Sequence, residues 1–292
     1  MWTVILVAAN AIAAEPTGWD ILTLHGRTLQ RTHGSNTETV TTVDFLPAPS
    51  PDQPVDVDGV LVGAESLHLW GDFGLGWVNL ATHRASRLTE AGRAIHDVHA
   101  TESWLFYASG DEIRAWSNTE GHEVTLCQKG CEDFASAPAG SVAWVDSAGV
   151  HLADKEALDA TEPGAVVTAK SLAARQTDRV TKIVFAPDGS KIGVFSGDAA
   201  SSDGESDDEG PGGDGGGGEA DEGEAGPFTA AWFDATGKSI RTETYPNPDQ
   251  LTLFAATWRE GGAPTLELDD PMTVYTMRDH LSLASVATGS VA

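Results

Sequence analysis

The chain has 292 residues, with 44 acidic against 17 basic side chains and a formal net charge of −27. That charge repels phosphate backbones and anionic lipid surfaces, so it argues against nucleic-acid and membrane-surface binding and favours cationic partners, Ca²⁺ or saline surroundings. Hydrophobic residues make up 40% and are accompanied by 32 glycines and 14 prolines, which points to a sizeable core reached through many short strands and frequent turns.

The first segment, MWTVILVAANAIAA, is apolar and ends in small residues. Ala9-Asn10-Ala11 and Ala11-Ile12-Ala13 both fit a small-x-small cleavage site. Residues 1–14 are therefore read as a signal peptide and residues 15–292 as the mature chain, in the periplasm or outside the cell. A run of about 14 residues is too short to span a bilayer, which needs about 20. No Lys or Arg precedes the run, and an ordinary first strand is the alternative reading.

Ile21–Leu24, Thr28–Arg31 and Thr39–Phe45 follow as short strand patterns, and residues 47–54 form a Pro-rich connector. Asp56 and Asp58, two apart, share a face if that segment is a strand. Two carboxylates on one face could bind Ca²⁺ or act as an acid–base pair, and a solvated acidic strand is the plainer alternative. No other cofactor is indicated.

Three strand–turn–strand units then align. Leu67–Trp70 turns into Trp77–Leu80, Trp104–Ala108 into Ile113–Trp116, and Ser141–Val145 into Val150–Leu152. Their turns, at positions 71, 109 and 147, are spaced by 38 and 38 residues. A constant period near 40 with several short strands per unit is the signature of propeller blades. The second unit reads as four strands: Ile95–Thr101, Trp104–Ala108, Glu112–Ser117 and Glu123–Cys127. A two-sheet sandwich would explain the strands but not the spacing.

Inside that unit, Asp97 and His99 share a strand face and could form a carboxylate–imidazole pair. His96 and His99, three apart, fall on opposite faces and cannot readily chelate one metal. Ser109–Trp116 superficially matches the S-x-D-x-G-x-x-W box of sialidase propellers, but Ile113 stands where Gly is required, so a hairpin turn is expected. Cys127 and Cys131 frame a C-x₃-C that could close a small disulfide in an oxidising compartment; two free thiols are the alternative.

Further along, Val184–Ile192 reads V-F-A-P-D-G-S-K-I. Pro187 presets a turn, Asp188 caps it and Gly189 takes a positive φ. This stretch resembles the F-S-P-D-G-x-x-I hairpin of TolB-like and WD40-like propeller repeats. The resemblance covers one clear unit with weaker echoes. It implies a propeller fold and a periplasmic protein-interaction role.

That unit carries an insertion. From Asp198 to Gly226 the chain has eleven acidic residues, ten glycines, and no basic, aromatic or large aliphatic residue. It cannot bury a core and is expected to be a disordered acidic spacer at a hairpin tip. It lacks the ligand order of an EF-hand loop. The strand pattern resumes at Phe228–Phe233, and a last unit runs through Leu251–Thr257, Thr265–Leu268, Thr273–Met277 and Leu281–Ala287.

The expected fold is all-β, a single β-propeller of six or seven four-stranded blades, closed by pairing an N-terminal strand with one near Val286. No nucleophile elbow, zincin, phosphate-loop or dinucleotide motif is present. The expected function is a non-enzymatic, exported, monomeric binding module with a protein or ligand partner and no membrane span. The alternatives are an extracytoplasmic hydrolase or lyase with carboxylates at a channel mouth, and a Ca²⁺-stabilised structural protein.

Overall fold

The computed structural model describes residues 3–8, 20–48, 57–62, 65–175, 179–198, 227–245, 253–258, 264–268, 273–278 and 282–287. The chain divides into two compact units, Met1–Gln128 and Lys129–Ala292. Among the described residues each unit holds three four-stranded antiparallel sheets, every one built from four consecutive strands.

In the first unit, sheet 1 comprises β1 (Thr3–Ala8), β2 (Asp20–His25), β3 (Thr28–His33) and β4 (Asn36–Thr42). Sheet 2 comprises β5 (Gly59–Val62), β6 (Ser66–Gly71), β7 (Gly74–Asn79) and β8 (Arg84–Arg87). Sheet 3 comprises β9 (Asp97–Ala100), β10 (Trp104–Ser109), β11 (Glu112–Ser117) and β12 (Glu123–Cys127).

In the second unit, sheet 4 comprises β13 (Asp133–Ser136), β14 (Val142–Asp146), β15 (Gly149–Ala153) and β16 (Lys170–Ala174), with the short helix α1 (Lys155–Asp159) between its last two strands. Sheet 5 comprises β17 (Arg179–Phe185), β18 (Lys191–Asp198), β19 (Phe228–Asp234) and β20 (Ser239–Tyr245). Sheet 6 comprises β21 (Leu253–Trp258), β22 (Pro264–Leu268), β23 (Thr273–Arg278) and β24 (Ser282–Ala287).

The residue pattern explains the sheets. Central strands are apolar on both faces, as in Trp104-Leu-Phe-Tyr of β10, where all four side chains are buried. The next strand, β11, alternates between buried and half-buried positions. Edge strands such as β4 and β20 carry Thr, Glu and Arg, which blunts open edges against pairing with other chains. Facing sheets share apolar clusters. Leu22, Leu24 and Leu29 of sheet 1 pack with Leu67, Leu69 and Val78 of sheet 2. Leu75 of sheet 2 packs with Val98, Leu105 and Tyr107 of sheet 3. In the second unit, Val145 and Leu152 of sheet 4 pack with Ile183, Ile192 and Phe233 of sheet 5. Phe195, Phe228 and Trp232 of sheet 5 pack with Leu253 and Leu266 of sheet 6.

A device repeats at the outer strands. Four of the sheets carry a one-residue bulge between their third and fourth strands, and the extra residue is Val40, Leu126, Leu172 or Ile240. Each follows a hydroxyl residue, in Thr39-Val40, Thr125-Leu126, Ser171-Leu172 and Ser239-Ile240. The bulge adds local twist to the strand that ends the blade.

Residues 3–8, within the segment read as a leader, form strand β1, in register with β2 from Thr3↔His25 to Ala8↔Asp20. Because this strand completes sheet 1, and β24 pairs with β23, ring closure through an N-terminal strand paired near Val286 is not among the described pairings. The helix α1 was not legible in the sequence. Asp154 caps it by accepting from the Ala157 amide at 2.8 Å, and Leu158 anchors it in the interior.

The 184–192 hairpin forms as its residues dictate. The Gly189 amide donates to the Ala186 carbonyl at 2.8 Å, and Gly189 sits at φ 70°, a conformation that glycine adopts at little steric cost. β18 and β19 pair from Lys191↔Asp234 to Ser196↔Thr229, so the acidic insertion joins the second and third strands of sheet 5, and its residues 199–226 lie outside the described residues.

Candidate functional site

Asp97 and His99 both lie on β9, and their paired partners on β10 are Ala108 and Phe106. Alternation puts them on one face, where His99 Nε2 lies 3.6 Å from Asp97 Oδ2. Both side chains are partly exposed, at 35% and 56%, so this carboxylate–imidazole pair is open to solvent. His96 precedes the strand, and its amide donates to the Ala108 carbonyl.

A tighter pair of the same kind escaped sequence reasoning. Asp146 ends β14, and its Oδ1 accepts from the amides of Ala148 and Gly149 at 2.7 and 3.2 Å. The same oxygen lies 2.9 Å from His151 Nε2 on β15. The imidazole stacks on Trp144, its directly opposite cross-strand neighbour, with centroids 5.5 Å apart and planes 27° apart. The sequence signal is an Asp five residues before a His across a Gly-containing turn. It becomes readable only once the hairpin register is known.

A charged cluster lies on sheet 3. Glu123 of β12 accepts from Arg93 Nη1 at 3.2 and 3.3 Å, from Arg114 Nη1 at 2.6 Å, and from the Tyr107 hydroxyl. Arg114 also donates to Glu112 at 2.8 Å. Burial pushes the Tyr107 phenol far above its ordinary value, and the negative Glu123 beside it adds to the effect. For Arg114, burial opposes the charge, but the hydrogen bonds to Glu112 and Glu123 prevail and raise its pKa. Two arginines neutralise the carboxylate, so the cluster is closed upon itself.

The remaining carboxylates of interest hold turns and strand edges. Asp188 Oδ1 accepts from the Ser190 amide and hydroxyl, which hold its carboxyl below the ordinary value. Asp234 Oδ1 accepts from the Thr236 hydroxyl and from the amides of Lys238 and Thr236, with the same result.

Asp58 is exposed and lies just before β5, which begins at Gly59, so the strand face assumed for it is not formed there. Asp56 lies outside the described residues. Among the described residues no three His, Cys, Asp or Glu side chains come together as a metal site. Cys127 and Cys131 are disulfide-bonded. No helix of the described residues is long and apolar enough to cross a membrane.

The sequence matches no protein-family model and no curated protein. Solved structures do resemble the fold. Virginiamycin B lyase from Staphylococcus aureus aligns over 99% of this chain and 89% of its own, with 9% identity and a TM-score of 0.51. Kluyveromyces lactis Hsv2 aligns over 89% of this chain and 70% of its own, with 10% identity and a TM-score of 0.51. The extracellular domain of BT4673 from B. thetaiotaomicron aligns over 91% of this chain and 31% of its own, with 7% identity and a TM-score of 0.51. The chain has the β-propeller fold. At these identities the likeness extends to architecture and not to chemistry. The neighbours are propellers of several kinds rather than TolB-like proteins in particular.

Proposed function

We propose that this chain is an exported β-propeller that serves as a non-enzymatic binding module for a protein or ligand with a cationic surface. The observation that carries the reading is how the polar groups within the blades are used. Glu123, Asp146, Asp188 and Asp234 spend their hydrogen bonds on arginines, a turn-side histidine and turn amides. Meanwhile Asp58, Asp72, Glu102 and Glu162 stand exposed on a chain of net charge −27, which steers cationic partners toward it. The disulfide between Cys127 and Cys131 supports an oxidising, extracytoplasmic compartment.

The test is capture of a partner from the cell-envelope and extracellular fractions of the source organism. The affinity of the purified pair is then measured across a salt series. A saturable complex that weakens steadily with salt supports the reading. Turnover of glycan or peptide substrates by the purified chain overturns it.

A second reading, an extracytoplasmic hydrolase or lyase, is favoured by the open Asp97–His99 pair. Under it, the activity found would be lost in Asp97→Asn and in His99→Gln.

A further inference from the structure

His68 lies in the middle of β6 and is 6% exposed. Its cross-strand neighbours are Leu61 of β5 on one side and Trp77 of β7 on the other. Ser66 and Trp70, two residues away along β6, share its face. Trp70 packs against the cluster of Leu75, Ile95, Val98, Leu105 and Tyr107 between sheets 2 and 3. Tyr107 in that cluster is kept neutral by burial and Glu123. Of the other titratable or charged groups on the neighbouring elements, Asp97 and His99 alternate with Val98 on β9, Arg84 and Arg87 lie exposed on β8, and Asp58 lies exposed just before β5. His68 Nδ1 is buried with no hydrogen-bond partner.

We propose that His68 is an acid-sensitive lock on the first unit: its neutral imidazole holds the packed state of sheet 2 between Leu61 and Trp77, and a proton taken up from solvent destabilises that state. Protonation places an N–H on a buried nitrogen that faces no acceptor, and it puts a positive charge among Leu61, Trp70 and Trp77. An interior of that kind disfavours the charged form strongly. Burial lowers the His68 pKa from 6.5 to about 4.

The direction follows from that depression. The folded chain binds the His68 proton less readily than the unfolded chain does. The stabilisation is complete above pH 6.5, is lost as pH falls toward 4, and changes no further below that. From the two values, the folding equilibrium constant falls roughly 30-fold between neutral pH and pH 5, and roughly 300-fold once pH is well below 4.

The experiment is denaturant unfolding of the full chain at pH 7.5 and 5.0, with wild type beside His68→Leu and His68→Gln. Ordinary carboxylates are mostly ionised across this window, and what they contribute is common to all three proteins. The wild type should lose roughly 30-fold more of its folding constant across the window than either variant. Equal losses in all three proteins overturn the proposal. A second readout needs no variant to fold: the imidazole carbon-bound proton resonances of the wild type. The His68 signal should hold its neutral position from pH 7.5 to 5, and titration near pH 6.5 in the folded chain overturns the proposal.

Discussion

Asp133 on β13 reaches across to β17, where its Oδ2 accepts a hydrogen bond from the Ile183 backbone amide at 2.8 Å. β13 and β17 are the facing first strands of sheets 4 and 5, so one carboxylate satisfies an edge amide that no strand of its own sheet pairs. Lys182, the preceding residue, places Nζ 3.5 Å from the other oxygen, Oδ1.

Removing that acceptor leaves a buried-edge N–H unsatisfied. Asp133→Ala should destabilise the protein by about 1–3 kcal/mol, read as a lower denaturant midpoint. Asp133→Asn keeps an acceptor oxygen and loses the charge, so it should fall between Ala and wild type. Equal loss in both variants would show that the charge opposite Lys182 matters and the amide bond does not.

A second relationship concerns shape. Gly76 of β7 lies beneath the Phe45 ring, which comes from the segment after β4, and a Cβ at position 76 would overlap that ring. The Phe45 carbonyl accepts from Arg87 Nη2 at 2.6 Å, and its ring sits 6.1 Å from that of Phe73, so the ring has little freedom to yield. Gly76→Ala should cost about 1–3 kcal/mol through overpacking. Gly34→Ala is the control. Position 34 has a φ of 60° and open space around it, so only the left-handed backbone cost of about 1–2 kcal/mol applies there. Rescue of Gly76→Ala, but not of Gly34→Ala, by Phe45→Leu would show the clash directly in a thermal melt.

The sheet 3 cluster yields a third expectation. Glu123 is the common acceptor for Tyr107, Arg93 and Arg114. Glu123→Ala strands a buried phenol and two half-buried guanidinium groups. The loss should reach about 3 kcal/mol, toward the lower end for a broken buried pair because the arginines keep some water. Tyr107→Phe removes a single donor and should cost about 1 kcal/mol. A double-mutant cycle on this pair should show clear coupling, since the two groups touch. Additive effects would mean that the hydroxyl contributes nothing through Glu123.

These contacts mark where sequence reading reached its limit. The hairpin from Trp104 to Trp116 was legible because two apolar strands flank a Gly-Asp turn, and the structure pairs Ser109 with Glu112 across it. The four strands of sheet 3 and the place of the insertion were legible for the same local reason. β16 was not, because Lys170–Ala174 is a half-exposed edge without alternation. The pairing of Asp97 with His99 follows from a period of two along one strand. The Asp146–His151 pair spans a turn, and the Asp133–Ile183 bond spans 50 residues. Such contacts depend on register and on sheet packing, which single-strand patterns do not encode. The bulge residues Val40, Leu126, Leu172 and Ile240 left a faint repeat of hydroxyl then aliphatic. Short outer strands with few neighbours hid it.

The net charge gives the last expectation. At −27 the folded chain repels itself, and salt screens that repulsion, because the Debye length falls from about 10 Å at 0.1 M to about 3 Å at 1 M. The melting temperature should therefore rise with NaCl and level off as screening saturates. Millimolar CaCl₂ matched in ionic strength by NaCl separates a site from an atmosphere. An ion held by the Asp56 and Asp58 carboxylates would raise the melting temperature further, in step with the logarithm of Ca²⁺ above its dissociation constant. EDTA would reverse the gain, and Asp58→Asn would abolish it. If NaCl and CaCl₂ superimpose at equal ionic strength, diffuse screening accounts for the whole effect and no bound ion is needed.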